Sequence, residues 1–155
     1  SAAPESPQLH LAGEQLRFLD TASIVRDGGR YGKGYIFASK DVKPHDWYFT
    51  CHFYQDPVMP GSLGVEAIVQ AIQLFAIQQD LGHGLQNVVF RQPVPHRTVW
   101  KYRGQILQHD PEMHLEAHIK EVKRENNSVL ITADASLWKG PLRIYELTDL
   151  AVLIG

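Results

Sequence analysis

From Leu63 to Leu81 the chain sets apolar residues all round the helical period, at Leu63, Val65, Ala67, Ile68, Val69, Ala71, Ile72, Leu74, Phe75, Ala76 and Ile77. The stretch holds no proline and no run of β-branched residues, and Gly82 follows where a helix commonly stops. This pattern predicts one long helix, and its apolar circumference predicts that the helix is enclosed. The rest of the chain supplies a wrapper. Tyr31, Lys33, Tyr35 and Phe37 alternate with small or polar neighbours after a Gly28-Gly29 turn, the two-residue period of a strand over Arg30 to Ala38. Further strands are predicted at Asn87 to Phe90, Thr98 to Gln108, His114 to Lys123, Val129 to Trp138 and Ile144 to Leu153. Turn signals lie between them at Gly82-His83-Gly84, Pro93 to Arg97, Asp110-Pro111, Asn126-Asn127 and Gly140-Pro141. The expected architecture is therefore α+β, a curled antiparallel sheet around one long central helix. Leu9 to Leu19 has no clear period and fits helix or strand equally.

Composition narrows the class. A chain of 155 residues with 44% hydrophobic and 21% charged residues reads as a single soluble domain able to bury a core. Residues 1–8, mostly Ser, Ala, Pro, Glu and Gln, read as a solvated linker ahead of one domain over residues 9–155. That linker, and a last strand running straight into Gly155, suggest a domain excised from a larger polypeptide. No apolar run reaches the length of a membrane span and no secretory leader is visible, so a cytoplasmic protein without membrane insertion is expected. The single cysteine, Cys51, excludes a disulfide framework and a cysteine-built zinc site. A net charge of −2 argues against nucleic acid as a partner.

Chemistry enters through polar residues in the apolar helix. Glu66, Gln70 and Gln73 share one helical face, and an ionisable group buried without a partner is costly. The preceding Asp56-Pro57-Val58-Met59-Pro60-Gly61 is a rigid turn that leaves the Gly61 N–H at the positive end of the helix, where it can polarise a thioester carbonyl. Upstream, His52 ends the aromatic segment Trp47 to Tyr54, on the side opposite Cys51 if the segment alternates. A histidine, a buried carboxyl and an electrophile-binding N–H suit abstraction of a proton α to a thioester with loss of a β-hydroxyl. Spacing alone favours the plainer reading, in which His52 and Glu66 hydrogen-bond core backbone groups.

The run His52-Phe53-Tyr54-Gln55-Asp56-Pro57-Val58-Met59-Pro60-Gly61-Ser62-Leu63-Gly64-Val65-Glu66-Ala67, with Gln70 beyond it, closely resembles the signature of FabA-type 3-hydroxyacyl-acyl-carrier-protein dehydratases. Ile144-Tyr145 and Thr148-Asp149-Leu150-Ala151-Val152 are similar to that family's closing strand. Asp46-Trp47-Tyr48-Phe49 and Trp100-Lys101-Tyr102-Arg103-Gly104-Gln105 are more similar still to the FabA-like domains of polyunsaturated fatty-acid synthases. The resemblance implies a hot-dog fold and dehydration of a (3R)-hydroxyacyl chain, carried on the phosphopantetheine arm of an acyl carrier protein, to the trans-2-enoyl product. It also implies roles. His52 matches the residue that removes the C2 proton, and Glu66 the acid that protonates the departing hydroxyl. Gly61 matches the thioester-binding N–H, Val58 the carbonyl that orients the histidine, and Gln70 the support for the carboxyl. It implies pairing with a second hot-dog unit, as a homodimer or within the parent chain, and no cofactor or metal beyond the carrier's own arm. Bacterial dehydratase-isomerases have aspartate at the place of Glu66 and cysteine at that of Ser62, which leaves double-bond isomerisation open.

The remaining features weigh less. His114 and His118 are four residues apart, but the alternating context puts them on the polar face of a strand with no third ligand. Arg91, Arg97, Lys101 and Arg103 form either a solvated basic face or a dock for an acidic carrier protein. Two rival functions remain: a hot-dog thioesterase, and a non-catalytic acyl-binding or scaffolding unit of a megasynthase.

Overall fold

A seven-stranded antiparallel sheet carries the fold, in the order β1-β2-β5-β6-β7-β3 with β4 also paired to β7. The computed structural model describes residues 19–40, 61–93, 97–104, 106, 110 and 112–155. The strands are β1 Thr21–Val25, β2 Tyr35–Lys40, β3 Phe90–Arg91, β4 Val99–Tyr102, β5 Met113–Glu125, β6 Ser128–Lys139 and β7 Leu142–Ile154; the helix, α1, is Gly61–Gln78. The three long strands β5, β6 and β7 form the middle of the sheet, joined by the two-residue turns Asn126-Asn127 and Gly140-Pro141, both legible in the sequence. Helix α1 lies in the concave side of the curl against β2, β5, β6 and β7. This is the hot-dog arrangement the resemblance implies. No helix among the described residues is long and apolar enough to cross a membrane.

The core is where the two periods meet. Ala67, Ile68, Ala71, Ile72, Phe75 and Ala76 on one side of α1 are almost fully buried against Ile36, Leu115, Ala117, Ile119, Ile131, Ala133 and Leu137 from the sheet. Each of the larger side chains contributes on the order of 1.5–3 kcal/mol by leaving water. The enclosure is one-sided, however. Val65 and Val69 are only half-buried and Ile77 is exposed, because a single sheet curls around part of the helix.

Four local features depart from the pattern reading. The helix ends before Gly82: Asp80 takes the left-handed conformation at φ 51°, the Asp80 N–H bonds to the Ile77 carbonyl, and the Leu81 N–H bonds back to Ala76. This is a Schellman end in which aspartate replaces the usual glycine, with buried Leu81 closing it. The strand expected from Arg30 begins only at Tyr35. Gly32 and Gly34 at positive φ fold residues 29–34 into a turn, and Gly34 admits no Cβ because Phe75 and Ile119 pack against its Cα. A short β1, which the sequence pattern did not suggest, pairs with β2. Of the segments expected at Asn87 to Phe90 and Thr98 to Gln108, the structure has β3 and β4: Asn87 sits at φ 53° ahead of β3, β4 ends at Tyr102, and residues 105, 107 and 108 lie outside the described residues.

One irregularity matters for the site. Between the pairs Ala133↔Leu150 and Ala135↔Leu147, Thr148 and Asp149 of β7 oppose the single residue Asp134 of β6, a β-bulge with Asp149 at φ 59°. Polar groups from neighbouring segments hold it. Asp134 accepts from the Asp149 N–H at 3.1 Å and from the Tyr31 hydroxyl, Lys120 Nζ reaches Asp149 Oδ1 at 2.8 Å, and the Thr98 hydroxyl donates to the Asp149 carbonyl at 3.2 Å. Burial pushes the Asp134 carboxyl upward, but these hydrogen bonds and the Lys120 and Arg30 charges outweigh it and hold the group below its ordinary value. The extra residue lets both Leu147 and Leu150 turn inward, three positions apart, where a regular strand would send one of them out.

Candidate functional site

The open side of α1 faces a cavity of about 480 Å³. Val65, Glu66, Val69 and Gln73 form its helical wall. Leu147, Leu150, Ala151 and Val152 of β7 form the opposite wall, and Phe90, Arg91, Gln92, Thr98 and Trp100 line the rest. The bulge described above is what brings Leu147 and Leu150 to this wall together. Helical geometry fixes the polar groups. Glu66 and Gln73, separated by seven residues, return to one face and both enter the cavity. Gln70 is rotated from them toward the core and is fully buried.

Glu66 is the chemically distinctive group here. Its carboxyl is half-buried, and that burial raises its pKa above the ordinary value of 4.5. A carboxyl whose protonated form is favoured by its surroundings, opening into an apolar cavity, can donate a proton. Gly61 is the first residue of α1, which puts its N–H among the unpaired donors of the helix start. His52 and Val58 lie outside the described residues. The carboxyl, its neighbour Gln70 and the helix start are thus brought to one stretch of helix, about two and a half turns long.

Of the four basic residues singled out for docking, all are exposed and only Arg91 lines the cavity, its Nε donating to the Gly155 carbonyl at 2.9 Å. Arg97, Lys101 and Arg103 flank or occupy β4 beside it. His114 and His118 stand on the outer face of β5, remote from this cavity's lining. His114 stacks on Trp138 with ring centroids 5.9 Å apart, and His118 Nδ1 accepts from the Arg30 N–H at 2.9 Å. Among the aromatic residues, Phe90 lines the cavity while Phe75 is core. Sequence reasoning missed Trp100, Leu147, Leu150 and Val152 as cavity wall. The signal available was the out-of-step spacing of apolar residues around Asp149, a residue type that tolerates left-handed backbone.

Known proteins are similar to this chain in sequence. The FabA-like domain family model matches residues 11–148. A subunit of the polyunsaturated fatty acid synthase of Thraustochytrium sp. is 38% identical over 155 residues, which is 99% of this chain but 10% of that protein. The chain therefore spans a tenth of the length of that curated relative. Among solved structures, Cj0977, a sigma28-regulated virulence protein from Campylobacter jejuni, aligns with a TM-score of 0.48 and 8% identity over 77% of this chain and 68% of its own. A hypothetical protein from Aquifex aeolicus aligns with a TM-score of 0.48 and 13% identity over 76% and 95%.

Proposed function

Because the chain belongs to the FabA-like domain family, we propose that it removes water from (3R)-hydroxyacyl thioesters carried on the phosphopantetheine arm of an acyl carrier protein. The observation that carries this reading is Glu66: a half-buried carboxyl with a raised pKa, on the wall of a cavity of about 480 Å³ lined mostly by apolar residues. In the proposed reaction the Gly61 N–H holds the thioester oxygen while His52, oriented by the Val58 carbonyl, takes the C2 proton. Electrons of the C2–H bond form the C2–C3 double bond, the C3–O bond breaks, and Glu66 protonates the departing hydroxyl to give water. Transfer of the proton from His52 back to Glu66 restores both groups. Gln70, buried one turn from Glu66, supports the carboxyl. The protein supplies the acid, the base and the oxyanion donor, so the reaction draws on no cofactor beyond the carrier's arm.

The same reading gives the protein a setting. It works in the cytosol on chains built by a fatty-acid or polyunsaturated fatty-acid synthase, the class named by its relative from Thraustochytrium. A second hot-dog unit completes the site. Support for that comes from β4, an edge strand on which Val99, Trp100 and Tyr102 are each more than two-fifths exposed next to the open cavity. The decisive experiment is mass spectrometry of a 3-hydroxyacyl carrier protein incubated with the protein. Loss of one water with the thioester intact is expected; release of free acid would instead establish a thioesterase, and an unchanged substrate a non-catalytic acyl-binding unit.

Carrier docking at Arg91, Arg97, Lys101 and Arg103 is part of the proposal, and charge steering has its own signature. Reversal of Lys101 and Arg103 together to Glu is expected to raise KM for carrier-bound substrate roughly ten-fold at low salt. KM for a small thioester mimic is expected to stay unchanged. Equal effects on both substrates would reject docking at this face.

A further inference from the structure

Gln73 is a polar group placed where an acyl chain would run. It lies on the same helical face as Glu66, enters the same cavity, and stands seven residues further along α1, a rise of about 10 Å. A thioester held at the helix start, with its third carbon at Glu66, sends its tail along α1 past Val69 toward Gln73. The walls between the two polar groups are apolar, formed by Val69, Leu150 and Val152. A half-buried glutamine amide offers two donors and an acceptor, and among the described residues its side chain has no hydrogen-bond partner. A saturated chain long enough to cover that amide strips its water and returns nothing, whereas a chain with an acceptor at that depth satisfies it.

We infer that Gln73 makes this cavity selective for acyl chains that carry a hydrogen-bond acceptor, an oxygen or the π face of a double bond, about two helical turns beyond the reacting carbons. Short chains that stop before Gln73 escape the discrimination. Long saturated chains bind roughly ten-fold more weakly than oxygenated chains of equal length, and the preference for a double bond is smaller because an N–H···π contact is weak. This deepens the dehydratase reading and rests on it only for the direction in which the chain lies.

The test is equilibrium binding of unreactive acyl-pantetheine amides to the full chain, so that no chemistry is needed. Four probes are used: butyryl, saturated dodecanoyl, dodecanoyl with a double bond in the distal half, and dodecanoyl with an oxo group there. The wild-type protein is expected to bind the oxo probe most tightly of the long ones and the saturated probe least. Gln73→Leu is expected to tighten the saturated probe about ten-fold relative to the oxo probe and to leave butyryl unchanged. Gln73→Met, close to glutamine in length and equally suited to a helix, repeats the measurement if the leucine variant does not fold. Unaltered ratios in both variants, or no preference among long probes in the wild type, or no binding of any long probe, would each overturn the inference. The dehydratase reading fails separately, by absence of water loss from 3-hydroxybutyryl substrate, whatever the binding ratios are.

Discussion

Glu66→Gln is expected to abolish dehydration by about 10²–10⁴-fold while leaving the folded protein as stable as the wild type, or more stable, at pH 7. The two halves of this result have one cause. Burial raises the Glu66 pKa above 4.5, so the folded state favours the protonated carboxyl more than the unfolded chain does. A raised folded-state value means that this favourable contribution is complete below the unfolded value and is lost as pH rises through the folded one. At neutral pH the wild type therefore bears the cost of an ionised or proton-seeking carboxyl in a half-apolar cavity, and glutamine, neutral at every pH, does not. The stability gap between variant and wild type should close as pH falls below about 4. Denaturant unfolding at pH 7 and at pH 4, with turnover measured on the same preparations, checks both halves. His52→Ala is expected to match the loss of activity, since proton removal at C2 and proton delivery at the hydroxyl are both needed. An active Glu66→Gln protein, or one clearly destabilised at pH 7, would remove Glu66 from the role of acid and return it to that of a structural group. The trade is a common one: a site tuned for chemistry is held at some expense to the fold.

What the sequence makes legible follows from the range over which the physics acts. The long helix, the three long strands and the tight turns at Asn126-Asn127 and Gly140-Pro141 come from local periodicity and turn chemistry, and the structure has them within a few residues. Glu66 and Gln73 on one face is a consequence of 3.6 residues per turn and needs no tertiary information. Features that depend on remote partners do not show in the pattern. Asp80 ends the helix before Gly82 because Leu81 finds a buried seat, and the Asp149 bulge exists because Asp134, Lys120, Tyr31 and Thr98 converge on it from four other segments. The shortness of β3 is likewise invisible in its alternation, since it is set by pairing with the far end of β7. For the site, the helix-borne residues were readable by position, whereas the opposite wall, Leu147, Leu150 and Val152, depends on the bulge. The signature around His52 and Val58 carries roles by resemblance, and those two residues lie outside the described ones.

Gly64→Ala is expected to destabilise the protein by about 3 kcal/mol or more, lowering Tm by roughly 6–12 °C. Helix propensity alone argues for the opposite sign, since alanine in a helix interior is favoured over glycine by about 1 kcal/mol. Contact decides against it. A Cβ on Gly64 would lie 2.9 Å from Tyr145 Cζ and closer still to Cε2, so one of them must move. Tyr145 has no room to do so. It is fully buried, with Trp100 and Tyr102 packed on it at centroid distances of 5.5 and 5.1 Å and its own strand paired on both sides. Gly64 thus sets how closely the first turn of α1 approaches β7, and Glu66 is two residues further on. Displacing that turn moves the carboxyl relative to the cavity, so turnover is expected to fall with stability. Tyr145→Phe provides the control: the tyrosine hydroxyl is buried with no hydrogen-bond partner among the described residues, so its removal should be neutral or stabilising, in contrast to the methyl added at Gly64. Thermal unfolding of the two variants beside the wild type distinguishes the cases. A Gly64→Ala protein as stable as the wild type would mean that the helix start is not seated on Tyr145, and the distance from β7 to Glu66 would then need another cause.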